Sequence, residues 1–243
     1  MSEDIKKNIA RINERIQAAC KKAGRRSEEV SLLLATKTVE PTRIIEAFAC
    51  GCTLIGENKV QELKEKHSAL AAVPHTAHFI GHLQSNKVKE VIKYVQCVQS
   101  VDRLDVAQKL EQHAAQNGRL LEVLIEVNTS GEPSKYGCTP QEALPLVKAV
   151  AALAHLQVRG LMTIGALSED AEKVRACFRC LKQLQLEIQS SALPALSVPV
   201  LSMGMSDDLE IAIEEGSTLV RVGTAAFGSR AYPMQQTAGT EIP

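Results

Sequence analysis

Residues 30–37 read VSLLLATK, an apolar run that ends in a lysine. A segment of this length and character is a buried strand, and it delivers its last side chain to the mouth of a barrel or cleft. Similar runs recur near residues 53–56, 78–81, 96–100, 121–128, 157–164, 198–202 and 219–223. Segments of helical spacing separate them, near residues 42–50, 58–70, 85–94, 103–117, 139–154, 169–190 and 206–215. The chain is thus a βα ladder, and eight strands are the number that closes a barrel. We expect an α/β fold, a single (β/α)8 TIM-type barrel over residues 1–243, preceded by an extra N-terminal helix. That helix covers about 3–23, with Ile5, Ile9, Ile12 and Ile16 on one stripe and Gly24 after its end. Residues from about 232 to 243 read as a frayed tail. An open doubly wound sheet has the same periodicity and stands as the alternative.

Composition narrows the function. With 28 basic and 28 acidic side chains there is no net field to draw nucleic acid or an anionic membrane, so an anion must be met locally. No apolar stretch reaches the roughly 18 residues of a membrane span, and the opening MSEDIKKNIARINERI is charged and amphipathic, so a cytoplasmic protein is expected. Seven cysteines, an odd number scattered through helices and strands, point to a reducing compartment rather than to a disulfide framework. Cys177 and Cys180 form a C-x-x-C, but Val174, Phe178, Leu181 and Leu184 already explain them as part of one packed helix face, and no second ligand pair completes a metal site.

Both sheet architectures put function at the strand C-termini. Those positions carry Lys37, Gly56-Glu57-Asn58, Gly81-His82, Asn128-Thr129-Ser130, Met162-Thr163, Ser202-Met203-Gly204 and Gly223-Thr224. Glycines and hydroxyls leading into helix starts meet anions through backbone N–H groups. LSMGMSDD (201–208) and VRVGT (220–224) fit that use, at the two places where such barrels commonly bind phosphate. Arg221, in an apolar strand, needs a partner or a ligand; a structural ion pair with Glu57 or Asp207 competes with a ligand role. Lys37 is either a strand-end lysine reaching into water or an amine whose desolvation makes it a nucleophile for an aldehyde. Lysine, phosphate cradle and arginine together describe a site for a phosphorylated aldehyde, and pyridoxal 5′-phosphate is such a molecule.

The motifs ATKT around Lys37, GENKVQE (56–62), HFIGHLQSNK (78–87), VRGLMTI (158–164), LSMGMSDD and VRVGTAAFG (220–228) make the chain, from about residue 30 to residue 230, resemble the YggS/PROSC family of pyridoxal phosphate homeostasis proteins. The resemblance implies a barrel similar to the N-terminal domain of alanine racemase, with the cofactor held as a reversible aldimine on Lys37. It further implies phosphate contacts from Ser202, Gly223 and Thr224, with Met203 and Gly204 in the same motif, Arg221 facing the pyridine nitrogen and Asn58 near the ring. Lys59 and His82 depart from the family's usual aromatic residue and proline.

An arginine cannot take a proton from the ring nitrogen, so carbanion stabilisation is expected to be weak. The implied role is therefore intracellular vitamin B6 homeostasis, with the cofactor held and delivered to recipient enzymes by a monomer or weak dimer. A small amino-acid racemase or lyase is the alternative. Racemases of this kind add a C-terminal β domain and a tyrosine, for which this chain is expected to lack the length. Among Tyr94, Tyr136 and Tyr232, only Tyr136 lies in a loop expected at the mouth, where it reads as a loop anchor before an acid, next to Lys135, which reads as a solvated loop lysine with a second aldehyde acceptor as the alternative. Of the six histidines only His82 is expected on the active face.

Overall fold

The apolar run after Val30 becomes strand β1 (Ser31–Ala35), and its pairing settles the architecture. On one side it pairs in parallel with β2 (Leu54–Glu57), on the other with β8 (Leu219–Val222). Between these, β3 (Thr76–Phe79), β4 (Cys97–Val101), β5 (Leu121–Glu126), β6 (Leu156–Met162) and β7 (Val200–Ser202) complete a closed circuit in chain order. First-to-last pairing excludes the open doubly wound sheet. The computed structural model describes residues 3–191 and 198–228. Tyr232 and the expected tail lie outside them.

The helices are α1 (Glu3–Lys22), α2 (Pro41–Phe48), α3 (Val60–Leu70), α4 (Val88–Val91), α5 (Leu104–Gln116), α6 (Pro140–Ala151), α7 (Ala171–Ser190), α8 (Leu209–Glu214) and α9 (Thr224–Phe227). Helix α6 starts as its sequence predicts: Pro140 sits in the first turn, where its missing N–H costs nothing, and Thr139 donates its N–H and hydroxyl to Glu142. The isoleucine stripe of α1 is buried, at roughly 1.5–3 kcal/mol per side chain. Arg15 fastens that helix to the end of the barrel by donating to both Glu210 oxygens, at 2.6 and 2.8 Å, and to the Ser206 carbonyl at 2.9 Å.

Three expectations shift. The helix expected over 85–94 is a 3₁₀ turn at Ser85–Lys87 followed by the single turn α4. The strand expected over 78–81 begins at Thr76, because Leu54 of β2 offers it a parallel partner there. Helix α8 starts at Leu209 rather than near 206, and the Asp208 carboxylate accepts the N–H of Met205, upstream of it, instead of a first-turn N–H.

Strands inside such a barrel are buried on both faces. Outward residues such as Leu34 join the helix-facing core, while Cys97, Leu124 and Met162 form a separate apolar cluster, with Val200 against it, inside the barrel. One alternate residue further along the strands, toward their C-termini, the buried side chains include Gln99, Glu126, Ser202 and Arg221. The plug is apolar and the layer toward the mouth is polar.

Candidate functional site

β1 ends at Ala35, and the turn Thr36-Lys37-Thr38 leads toward α2. Parallel register pairs Leu34 with Val222, so Lys37 and the Gly223-Thr224 turn leave neighbouring strands at the same rim. A Cβ built on Gly223 would lie 3.2 Å from the Ala35 carbonyl oxygen, which shows how closely the two loops run. Lys37 is half-buried and Thr224 exposed. Thr38 adopts φ +62°, the only positive value at a non-glycine among the described residues. For a β-branched residue this is a strained conformation, and it demands compensation from its surroundings.

The loop after β7 meets the same turn. Gly204 has φ +92°, and a Cβ there would stand 2.5 Å from that of Ala212, so only glycine fits; its carbonyl accepts the N–H of Arg221 at 2.9 Å. The Ser206 hydroxyl accepts the N–H of Ala225, in the first turn of α9, at 3.3 Å. Ser206, whose place at the start of the segment expected to be helical marks it as a cap, is thus a hydroxyl at the junction of the two loops. Met203 is fully buried in the wall. Ser202 lies a layer deeper than the rim: its hydroxyl, fully buried, donates to Gln99 Oε1 at 2.7 Å and accepts from Arg221 at 2.8 Å.

Arg221 therefore sits in a hydrogen-bonded chain that crosses the polar layer. One guanidinium nitrogen donates to Ser202, the other to the Thr163 carbonyl at 2.8 Å. Gln99, having accepted from Ser202 through Oε1, presents its amide N–H to His78 Nδ1 at 2.7 Å, which makes His78 the acceptor and leaves its proton on Nε2. Burial agrees with that neutral tautomer, lowering His78 to about 4. The carboxylates that act on Arg221 are Glu126 and Asp208, not the expected Glu57 or Asp207; Glu57 pairs with Lys66 instead. Burial lowers the guanidinium to about 10, so it keeps its charge at neutral pH. Burial, with the Asp102 charge adding to it and Arg221 opposing, raises Glu126 to about 7. With only His82 among the histidines expected on the active face, both His78 and Gln99 escaped sequence reading. The alternation of Cys97, Gln99 and Val101 along β4 was the available signal.

Asn58 follows β2 and is half-buried. Gly81 passes so close to it that any Cβ would overlap the Asn58 carbonyl oxygen, and this contact holds Asn58 at the rim. Across the mouth His82 stacks on Tyr136, with ring centroids 3.7 Å apart and planes 12° from parallel, and its Nδ1 lies 3.7 Å from Asp102. Lys135 is held by the Glu132 carboxylate at 2.7 Å and the Gly165 carbonyl at 2.8 Å. Tyr136 thus acts as a loop anchor, and Lys135 ties two loops together. No group of three or more metal-binding side chains occurs among the described residues, and no helix there is long and apolar enough to cross a membrane.

Residues 5–231 match the family model described as alanine racemase, N-terminal domain. The pyridoxal phosphate homeostasis protein of Aquifex aeolicus is 45% identical over 92% of this chain and 97% of its own length. The protein of the same name from Pseudomonas aeruginosa is 43% identical over 94% and 96%. Among solved structures, PipY of Synechococcus elongatus, determined with PLP bound, superposes with a TM-score of 0.79 at 32% identity, over 89% of this chain and 100% of that one.

Proposed function

Because this chain belongs to the alanine racemase N-terminal domain family, we propose that it binds pyridoxal 5′-phosphate and holds it for intracellular vitamin B6 homeostasis, as a reversible aldimine of Lys37. The carrying observation is the register that sets the Lys37 turn beside the Gly223 turn, one amine and one glycine- and hydroxyl-bearing turn on adjacent strands of a single rim. The names of the relatives and the PLP-bound PipY support the cofactor and the homeostasis role in this reading.

In this assignment Gly223 and Thr224 receive the phosphate as expected, together with Ser206 and the Gly204 loop backbone, whereas Ser202, expected among the phosphate contacts, is reassigned because its hydroxyl is taken up by Gln99 and Arg221. Arg221 meets the ring nitrogen, Asn58 flanks the ring, and Met203 and Ser202 shape the wall behind them. The chemistry is a condensation: the Lys37 amine adds to the aldehyde and water leaves, and water or another amine reverses it. That exchange makes delivery to recipient enzymes in the cytoplasm possible without cleaving an amino acid's α-hydrogen bond.

Borohydride treatment of the loaded protein, followed by peptide mapping, tests the site. The reduced pyridoxyl label is expected on Lys37 and is expected to vanish in Lys37→Ala; a label on another residue refutes the assignment. Rapid deuterium exchange at an amino acid's α-carbon would favour the racemase or lyase alternative.

A further inference from the structure

Lys66 lies in α3 with only 8% of its surface exposed, and it belongs to none of the groups assigned to the cofactor. Its ammonium has three protons and three close acceptors: the Thr36 carbonyl at 2.7 Å, Glu57 Oε1 at 2.7 Å and Glu62 Oε2 at 2.8 Å. The Thr36 hydroxyl donates to the same Glu57 oxygen at 2.6 Å, and the Thr38 N–H to the same Glu62 oxygen at 2.6 Å. The residue before Lys37 is therefore tied by its carbonyl and its hydroxyl, and the residue after it by its amide.

A buried ion pair is weak evidence for stability, because desolvation offsets much of the attraction. What distinguishes this cluster is its choice of partners. The cluster meets the chain on either side of Lys37, with Lys66 at the Thr36 carbonyl, Glu57 at the Thr36 hydroxyl and Glu62 at the amide of Thr38, which is held at φ +62°. A turn that strains one residue keeps its shape only if its neighbours over-determine it. The supply of groups is local in sequence: Glu57 ends β2, and Glu62 and Lys66 are one helical turn apart on α3.

We propose that Lys66, Glu57 and Glu62 are positioning residues that clamp the Lys37 turn in the conformation presenting its amine to a phosphorylated aldehyde. The inference rests on the reading of Lys37 given above. It adds that the amine's placement depends on a charge cluster behind the rim. Rigid second contacts of this kind govern how well a binding group is pre-organised, and their loss lowers affinity without removing any group that touches the ligand.

The test uses the full chain carrying Glu62→Gln, which keeps the shape of the side chain and weakens its hold on Thr38 and Lys66. Amide hydrogen exchange at Thr38 is read without ligand, affinity for pyridoxal 5′-phosphate by titration, and the borohydride label by peptide mapping. Faster exchange at Thr38 and a loss of affinity of about tenfold or more are expected, with the label still on Lys37. Adding Thr38→Gly is expected to recover part of the affinity, because glycine takes positive φ without the clamp. If Glu62→Gln fails to fold, Glu62→Asp, which retains the charge and withdraws it from Thr38, is read in the same way. Unchanged exchange and affinity with the label on Lys37 overturn the clamp alone. A wild-type label on another lysine overturns the site reading and the clamp's role with it.

Discussion

Glu126→Gln isolates one of two opposed titrations inside the barrel. Burial raises the Glu126 carboxyl from 4.5 to about 7, so the folded chain holds this proton more tightly than the unfolded one. As pH rises through that interval the unfolded state gives up its proton first, and stability falls by roughly 3 kcal/mol, at about 1.4 kcal/mol for each pH unit. His78 runs the other way. Burial lowers it from 6.5 to about 4, so on acidification the unfolded state takes up the proton first and stability is lost as pH falls from 6.5 toward 4, again by roughly 3 kcal/mol. Between pH 4.5 and 6.5 the two slopes oppose and largely cancel in the wild type. The glutamine variant keeps only the histidine slope. Its stability minus that of the wild type is expected to rise by roughly 3 kcal/mol from about pH 4.5 to pH 7, a gain that urea denaturation of the ligand-free proteins at a series of pH values resolves. The difference cancels the titrating groups that do not interact with Glu126. A difference that stays flat, or falls as pH rises, refutes the claim that Glu126 is held protonated by its burial.

Two further substitutions probe the packing behind the rim. Gly81→Ala drives a methyl into the Asn58 backbone, which no rotamer change relieves, so a loss of about 1–3 kcal/mol in urea denaturation and weaker cofactor binding are expected; an unaltered midpoint would contradict the close approach. Arg221→Met removes the donor to Ser202 and the Thr163 carbonyl and leaves Glu126 and Asp208 without their buried cation. A loss of roughly 3 kcal/mol is expected, together with a changed absorption spectrum of the bound cofactor, and a spectrum identical to wild type would argue against contact with the ring nitrogen.

The sequence carried the barrel because each strand repeats the same physical signature, an apolar run bounded by polar or small residues, and the parallel pairing of β1 with β8 only had to close what eight such runs implied. The rim residues were legible for a similar reason. Lysine, glycine and hydroxyl at strand ends break the apolar pattern wherever a side chain need not be buried. Ser206 escaped because a serine before two aspartates satisfies the rule for a helix start, and local rules cannot show that a hydroxyl meets a loop 19 residues later. The partners of Arg221 escaped for a deeper reason. Glu57 and Asp207 are the same residue types as Glu126 and Asp208, and only the folded barrel decides which of them come near enough to act on Arg221.

That interior arrangement bears on what the site is suited to do. Arg221 is fixed at both ends of its guanidinium, by Ser202 and by the Thr163 carbonyl, and Ser202 is itself fixed through Gln99 to a neutral His78. A cation so restrained does not swing away from a ligand, and as it has no acceptor it cannot stabilise a protonated pyridine nitrogen placed against it. In the proposed assignment the ring therefore stays neutral and withdraws few electrons from an attached carbon. Two features then point the same way: the clamp behind Lys37 favours making and breaking one carbon–nitrogen bond at a fixed place, and the arginine chain disfavours the proton abstraction that would follow it in a racemase. Holding and releasing the cofactor needs only the first of these. Turnover would need a strong acid–base pair to offset the second, and the mouth's Tyr136 is stacked on His82 while its Lys135 is tied to Glu132 and Gly165.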